Sequence, residues 1–402
     1  RLRMMAFGVE SGWRVILFQI DERDGDGRWI IPNARARDDA PPSDGVLSAK
    51  DALVFRARDL GVRAARPAWP PGVTGGSEIA VQDPLNRGRG WAYLFLFDAP
   101  PPLPARDQVR AYATSAAPGD SVLTPSYKVF YPRDARGRYV PGVMTAFSID
   151  GAARGDYGAN LLDRQKLRYT GSLPFISLFT FRRTEQQIAA QPLGFIDGPV
   201  RALRPVERLF HLPWRPDAPV RGMTTFLPDR VIIDDPGRIP PRLGFFARTF
   251  EARVSWDFVA PPGSRVYAAP VPLGVAADGV TGLAEAAING VPSTWWALAT
   301  PRGGALLAIH EHRRRGRLLP AERAYPTLAY RDDQTPAPPE ARAGSTPAIG
   351  WHLHARPPGA YWEQPSRVHL FVLDKFRPGD EKLRLKWIRT PLRVKVGPGL
   401  AR

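Results

Sequence analysis

Alternation of apolar and polar residues along short segments constrains this fold more than any other feature. Segments such as Glu78 to Gln82, Phe250 to Phe258 and Ile349 to Ala355 place apolar residues at every second position. That period matches a β-strand, in which successive side chains point to opposite faces of the sheet. Pro and Gly number 44 and 37, which suits many strands joined by turns. We therefore predict a mostly β protein, a large antiparallel β-sandwich with long loops rich in Pro and Gly.

Helical signals are few, and the chain is long. Glu185 to Gln191 and Gly282 to Ile288 each predict only a short helical turn. A chain of 402 residues exceeds the size at which one compact core usually stops growing, so we expect one very large sandwich or two packed β units. The interval 99–125, rich in Pro, Ala and Ser, favours a boundary near residue 125. This predicts an N-terminal β unit with acidic loops over residues 1–125 and a larger β-sandwich unit over residues 126–402.

The chain is strongly basic, with a net charge of +17 and a pI near 10.6. Such a charge suits a polyanion, an anionic membrane surface or an acidic protein as partner. Only seven of the 56 basic residues are Lys, and Arg spread this evenly is typical of a solvated surface shaped by base composition. The densest basic run, residues 312–317, has no interleaved aromatic residues to stack on bases. This disfavours nucleic acid as the partner.

Several classes of chemistry are excluded by what the sequence lacks. The chain has no Cys, so disulfides, thiolate zinc sites and cysteine nucleophiles are ruled out. No apolar run reaches the roughly 18 to 20 residues needed for a transmembrane helix. No Gly-x-Ser-x-Gly elbow, phosphate-binding loop, dinucleotide fingerprint or His-Glu-x-x-His motif occurs. The chain begins at Arg1 rather than Met, which is consistent with a processed product or with part of a longer one, and any signal peptide would lie upstream.

An acidic stretch follows the first apolar run, in the sequence FQIDERDGDGRWIIP. Carboxylates concentrated in two neighbouring loops can converge on calcium, which takes six to eight oxygen ligands. EF-hand spacing fails, because the third ligand position after Asp21 is Arg23. Alternatively, the Asp-Gly pairs are turn residues and the carboxylates pair with nearby arginines. The candidate calcium ligands are Asp21, Asp24, Asp26, Asp44 and Asp51.

Four segments together resemble a group of exported bacterial β-sandwich proteins of unassigned function. They read FQIDERDGDGRW, DGVLSAKDALVFRARDLGVRA, EIAVQDPLNRGRGWAYLF and GFIDGPVRALR. In that group a Gln-x-Asp strand end is followed by an Asp-Glu-Leu-Val-Phe type strand and later by a Gly-Pro-Val-Arg strand; here Ala52 replaces the Glu. The segments are also similar to galactose-mutarotase-like sandwich proteins, which include polysaccharide lyases. The resemblance implies export to the periplasm or the extracellular space and a large antiparallel sandwich.

Histidines are concentrated near the C-terminus, mostly as His-x-His pairs. Alternation along a strand puts both members of a pair on one face, so the two pairs can offer four imidazoles to zinc or copper if the strands face each other. Alternatively, both pairs are polar positions at strand ends. The candidate ligands are His310, His312, His352 and His354.

Adjacent tryptophans raise the possibility of a ligand surface. In the segment TWWALA, one of Trp295 and Trp296 must point away from the core if the segment is a strand. An outward Trp favours a ligand or partner surface, although aromatic residues also fill sandwich cores.

Three functions are consistent with these patterns. The first is an exported, non-enzymatic binding or accessory protein, or a subunit of a larger assembly, that binds a partner protein or an anionic glycan surface and takes calcium as its cofactor. The second is a polysaccharide-active lyase or hydrolase on a similar sandwich. The third is an accessory protein basic enough to dock an acidic multihaem cytochrome.

Overall fold

The computed structural model confirms a mostly β protein built from antiparallel sheets, none of them closed into a barrel. It describes residues 1–32, 45–65, 69–103, 110–114, 119–133, 142–149, 158–172, 180–210, 218–235, 238–239, 249–312, 326–332, 346–355, 362–363 and 366–401. Asp44 lies outside these residues.

The first half of the chain contributes strands to several sheets. These strands are β1 (Leu2–Gly8), β2 (Gly12–Ile16), β3 (Phe18–Asp21), β4 (Ala52–Phe55), β5 (Val73–Gln82), β6 (Arg89–Phe97), β7 (Arg110–Thr114), β8 (Gly119–Leu123), β9 (Lys128–Pro132), β10 (Ala146–Ser148), β11 (Leu162–Ser172), β12 (Thr180–Thr184), β13 (Ile188–Pro192), β14 (Ile196–Asp197) and β15 (Ala202–Phe210).

The second half adds further strands and two helices. The strands are β16 (Ala218–Leu227), β17 (Arg230–Asp235), β18 (Arg238–Ile239), β19 (Thr249–Phe258), β20 (Arg265–Ala268), β21 (Val271–Ala276), β22 (Trp295–Ala299), β23 (Ala305–His312), β24 (Thr327–Arg331), β25 (Ala348–Ala355), β26 (Trp362–Glu363), β27 (Ser366–Leu373) and β28 (Arg393–Ala401). The helices are α1 (Leu283–Ala286) and α2 (Asp380–Arg389).

The N-terminal sheet has the strand order β2-β1-β6-β5-β28, so its last strand comes from the C-terminal end of the chain. β28 pairs antiparallel with β5 and places Val394 opposite Val81. Met4, Ile79 and other buried residues form a core on one face of this sheet, which the β3–β4 hairpin covers with Phe18 and Phe55. The boundary near residue 125 stays a prediction.

A sandwich follows, in which one large sheet faces two smaller ones. The ten-stranded sheet has the order β13-β15-β16-β17-β27-β23-β22-β20-β21, with β14 paired to β15. The four-stranded sheet is β10-β9-β8-β7, and the sheet that we call the central sheet is β12-β11-β19-β25-β24. Residues of all three sheets share one buried core. At its centre Trp256 of the central sheet lies 5.5 Å from Trp296 of the ten-stranded sheet, measured between ring centroids.

The described helices are short, and one of them, α2, covers part of the ten-stranded sheet. The turn predicted at Glu185 is a 3-10 turn, Glu185–Gln187, which leads directly into strand β13. The prediction over 282–288 is confirmed as α1. The longest described helix, α2, packs Leu385 and Ile388 against the face of the ten-stranded sheet that points away from the core. No helix among the described residues is both long and apolar enough to cross a membrane.

Candidate functional site

The acidic loop after β3 uses its carboxylates on its own backbone. Asp24 Oδ1 accepts hydrogen bonds from the backbone N–H groups of Asp26 and Arg28, at 2.9 and 2.8 Å. Asp51 accepts from the N–H groups of Arg23 and Ser48, which lowers the pKa of its carboxyl group. These are the bonds of the turn interpretation. Within the described residues, no group of three or more His, Asp or Glu side chains is placed to hold a metal; calcium binding stays a prediction.

Asp21 has a different role, because it is fully buried and joins two distant parts of the chain. Its Oδ2 accepts two hydrogen bonds from the Arg201 guanidinium, at 2.8 and 2.6 Å. Its Oδ1 accepts a 2.5 Å bond from Gln19, whose own Oε1 accepts from the backbone N–H groups of Val200 and Arg201. The Arg201 guanidinium also lies 5.5 Å from the Trp29 ring. The Gln-x-Asp strand end therefore binds the Gly-Pro-Val-Arg segment.

The structure does not bring the two His-x-His pairs together. His310 points into the core between the sheets, with its ring 5.4 Å from Trp351. Because Trp351 also points into that core, strand alternation places His352 on the opposite face of the central sheet. The sheet therefore separates His310 from His352. The side chains of His312 and His354 lie outside the described residues, and metal binding by either pair stays a prediction.

The adjacent tryptophans divide between two faces, as strand alternation requires. Trp296 is fully buried in the shared core, where no ligand can stack on it. Trp295 lies on the other face of β22, half-buried beside Phe376 and the residues that α2 covers. A ligand role for Trp295 stays a prediction.

The outer face of the central sheet, which points away from the shared core, carries a concentration of arginines. Trp256 on β19 and Trp351 on β25 point inward. On each strand the residues directly before and after the Trp therefore point outward. Register then sets the neighbours, with Arg168 of β11 directly opposite Arg253 of β19, and Arg253 directly opposite His352. We call this surface the cationic face; its basic residues are Arg164, Lys166, Arg168, Arg182, Arg253 and Arg331.

The arginines of the cationic face repel one another. Burial lowers the pKa of the Arg253 guanidinium most; Arg168, Arg331 and Arg182 lower it further, and Asp257 raises it. Burial also lowers the pKa of the Arg168 guanidinium, which the carboxylates of Glu185 and Asp257 raise and the charges of Arg182 and Arg331 lower. Like charges directly opposite across a strand pair are destabilising. A guanidinium does not lose its proton in a protein, so these side chains stay charged.

Two buried carboxylates lie beside the basic residues of the cationic face. Lys166 forms an ion pair with Asp257, and both side chains are buried. Glu185 is fully buried beside Arg168, and burial raises the pKa of its carboxyl group, which weakens it as a counterion.

Arg164 gives the cationic face an unsatisfied donor. The residue is only 9% exposed, and its Nε and Nη1 atoms are buried without a hydrogen-bond acceptor in the described structure. Buried guanidinium donors normally find an acceptor, because leaving such a hydrogen bond unmade costs about 1–3 kcal/mol.

The rest of the cationic face is small and polar. Ser255, Gly350 and Ala329 lie side by side on three neighbouring strands and are buried. Hydroxyl groups come from Thr170, Thr184 and other residues of the same face. No Trp, Tyr or Phe occupies an outward position on the described parts of these strands.

Sequence reasoning missed this surface, although a signal for it was present. The segment LDRQKLRYT places Arg164, Lys166 and Arg168 at every second position, the spacing that puts all three on one face of a strand. Because Arg is spread evenly along the chain, we interpreted it as a solvated surface and did not predict a local group. Pairing of β11 with β19 then adds Arg253.

A second group of titratable residues lies where β24 ends, and it holds a loop in place. The buried Asp332 carboxylate accepts a 2.9 Å hydrogen bond from the backbone N–H of Asp278, while the Thr281 hydroxyl donates to the Asp332 carbonyl. Tyr330 donates to Glu285 at 3.1 Å. Burial raises the pKa of Asp332 to about 6, so its ionised form is disfavoured in the folded chain.

Replacing Asp332 by Asn should change how stability depends on pH. Because the pKa of Asp332 is higher in the folded than in the unfolded chain, its contribution to the free energy of unfolding is complete below about pH 4. That contribution is lost as the pH rises through about 6. Asn carries no charge to bury, so Asp332→Asn should be about 1 kcal/mol more stable than wild type at pH 7.5, after allowance for solvent screening. Near pH 4 the two should be equal. Urea unfolding at both pH values tests this, with the exposed Asp26→Asn as control; an equal difference at both would contradict it.

His369 forms a further pair with Glu311, and α2 lies over this part of the sheet. His369 Nε2 is 3.2 Å from Glu311 Oε2, and the imidazole is almost fully buried. Burial lowers the pKa of His369 to about 4. Around it, Arg230, Arg367 and Arg384 are matched by Asp229, Asp234 and Glu311.

Comparisons with known proteins reveal no family. No protein-family model and no curated protein matches the sequence. Among solved structures, the chain is similar to an alpha-mannosidase from Enterococcus faecalis, with 10% identity and a TM-score of 0.41 over 81% of this chain and 39% of that one. It is also similar to a glycosyl hydrolase family 38 protein of the same organism, with 9% identity and a TM-score of 0.45 over 98% of this chain and 42% of that one. For heparinase III the identity is 9% and the TM-score 0.34, over 71% of this chain and 39% of that one. The chain thus spans about two fifths of each of these proteins, and its resemblance to galactose-mutarotase-like proteins stays a prediction.

Proposed function

We propose that this protein binds an anionic saccharide on the cationic face of its central sheet. The observation that carries the proposal is the pair of opposed arginines, Arg168 and Arg253, with Arg182 and Arg331 within repulsive range. Two guanidinium groups held on neighbouring strands attract an anion that binds beside both of them.

The chemistry of the face favours a saccharide over a nucleic acid. Proteins that bind single-stranded nucleic acid stack its bases on aromatic side chains, and the described face offers none. Hydroxyl groups from Ser and Thr suit sugar hydroxyls, while guanidinium groups suit carboxylate or sulfate substituents. We propose further that the protein binds this saccharide without cleaving it. We also propose that it is exported to the periplasm or the extracellular space. Docking of a multihaem cytochrome stays a prediction.

Binding of polygalacturonate, measured by isothermal titration calorimetry at low salt, tests the proposal. We expect binding that weakens as salt is added, and none to neutral dextran. Arg253→Ala should weaken binding about tenfold, because a hydrogen bond to a charged group contributes about 1.5 kcal/mol. The control is Arg221→Ala, which removes an exposed arginine of the ten-stranded sheet. Absence of binding, or equal losses in both variants, would refute the proposal.

A second candidate function is eliminative cleavage of the same ligand, and the position of His352 favours it. His352 lies directly opposite Arg253, so a base would stand beside a group that neutralises a uronate carboxylate. The imidazole would take the proton from the carbon next to the carboxylate. The electron pair then forms a double bond as the glycosidic C–O bond breaks, and the leaving oxygen takes a proton. A rise in ultraviolet absorbance during incubation, lost in His352→Ala, would establish this activity; a flat trace with binding retained would exclude it.

A further inference from the structure

We infer that the free edge of β28 binds an extended segment of an acidic partner protein, which adds a strand to the N-terminal sheet. In that segment apolar residues alternate with Asp or Glu. β28 belongs to a different sheet from the cationic face, so the partner and the saccharide bind at separate surfaces. An unpaired strand edge, exposed apolar side chains and unpaired positive charge coincide at β28.

β28 is an edge strand whose side chains are exposed on both faces. It pairs with β5, and no described strand pairs with its other edge. Residues 393–396 are all exposed, and we call these four residues the C-terminal edge. Beyond them the register with β5 shifts between Val396 and Gly399. A free strand edge presents unpaired N–H and C=O groups, which form hydrogen bonds with a strand of another chain.

The apolar core of the N-terminal sheet continues onto the C-terminal edge. Val394 lies directly opposite Val81, and Val396 lies directly opposite Ile79, so each pair shares one face of the sheet. Val81 and Ile79 are buried in the core that β3 and β4 cover. Val394 and Val396, by contrast, are 58% and 62% exposed. A strand added beside β28 would place its own apolar residues next to these two valines.

Positive charge is concentrated around the C-terminal edge. Residues 374–395 include eight basic and three acidic residues, and they contain four of the seven lysines of the chain. Two of the carboxylates are used locally, because Asp380 and Glu381 accept 2.8 Å hydrogen bonds from backbone N–H groups just before α2. Five exposed cations have no ion-pair partner among the described residues: Lys382, Lys386, Arg389, Arg393 and Lys395.

The basic residues of α2 lie close to the C-terminal edge, because only three residues separate α2 from β28. A chain spans at most about 3.5 Å per residue, so the end of α2 is within roughly 14 Å of the start of β28. On β5, Glu78 shares a face with Lys395. Glu78 is already bound to Arg63 and Tyr93. The C-terminal edge therefore attracts a segment that carries its own carboxylates.

Charge and geometry distinguish the acidic segment from two other occupants. If a second copy paired with its valines matched, each Arg393 would lie directly opposite the Lys395 of the other copy, and like charges so placed are destabilising. Lys on an edge strand disfavours pairing between copies for this reason. An anionic membrane attracts the same cations but offers no strand to pair with the edge. An acidic segment with alternating apolar residues satisfies the valines, the cations and the backbone groups together.

A labelled peptide of alternating Val and Glu, titrated with the full chain at low salt and followed by fluorescence anisotropy, tests the inference. We expect it to bind at least about tenfold more tightly than a peptide of the same composition with Val and Glu in separate blocks. Lys395→Glu should weaken binding about fivefold, because an attraction becomes a repulsion. Val394→Thr combined with Val396→Thr should weaken it several-fold. The control is Lys128→Glu, which reverses an exposed lysine on β9, a strand paired at both edges.

Methylated peptides separate strand addition from charge attraction and leave the protein unchanged. In a strand the N–H groups of alternate residues point to the same edge, so the Val amides face one edge of the peptide and the Glu amides the other. Methylating one set should abolish binding, and methylating the other should leave it nearly unchanged. Equal effects of the two would overturn strand addition. Tighter binding to phosphatidylserine vesicles than to the peptide, or self-association that the double Thr variant abolishes, would overturn the acidic partner.

Discussion

Replacing Asp21 by alanine should lower the free energy of unfolding by about 3–5 kcal/mol, the cost of removing one partner from a buried ion pair. Asp21 is fully buried and accepts two hydrogen bonds from Arg201 and one from Gln19. Without it, a largely buried guanidinium keeps its charge and loses its acceptor. Urea unfolding, followed by circular dichroism and tryptophan fluorescence, measures the loss.

Two comparisons make this prediction specific. Asp26→Ala removes an exposed carboxylate of the neighbouring loop and should change stability by less than about 0.5 kcal/mol. Gly198→Ala should also destabilise, because a Cβ atom there would lie 2.0 Å from the buried Gln19 side chain. If Asp21→Ala behaves like Asp26→Ala, the contact between β3 and the segment before β15 does not stabilise the fold.

Replacing Arg168 and Arg253 together by leucine should lower the affinity for polygalacturonate at least about 100-fold. Two hydrogen bonds to charged groups, each contributing about 1.5 kcal/mol, account for that factor. The same double variant should lose less than about 1 kcal/mol of stability without ligand, because relief of repulsion between the two arginines offsets removal of the cation beside the buried Glu185. Calorimetric titration and urea unfolding measure the two quantities.

A large loss of affinity with little loss of stability distinguishes a binding site from a structural one. A matched control is Arg221→Leu with Arg265→Leu, which removes the same net charge from exposed positions of the ten-stranded sheet. That control should keep nearly full affinity. If instead the Arg168 and Arg253 double variant unfolds more easily by as much as it loses in binding, these arginines hold the sheet together rather than a ligand.

Local sequence predicted most of what is local in this structure. Phe250 to Phe258 is a strand with Trp256 and Phe258 buried, as its alternation indicates. The helix α2 was missed, because DEKLRLKWIR is short and polar and is covered on one side only by contact with a distant sheet. The first acidic stretch showed turn chemistry correctly at Asp24, but nothing around Asp21 indicated that Arg201 would be its partner.

By itself, then, the order of residues determined the strand period and which side chains share a face of each strand. Arg164, Lys166 and Arg168 share one face of β11 whatever its neighbours are. Only the tertiary structure decided that β19 lies beside β11 and β24 closes the same sheet, bringing Arg253 and Arg331 to that face. The physical reason is that strand pairing uses backbone hydrogen bonds, which are nearly the same for every residue. The choice of neighbour therefore depends on how the whole core packs, a property that no single segment carries.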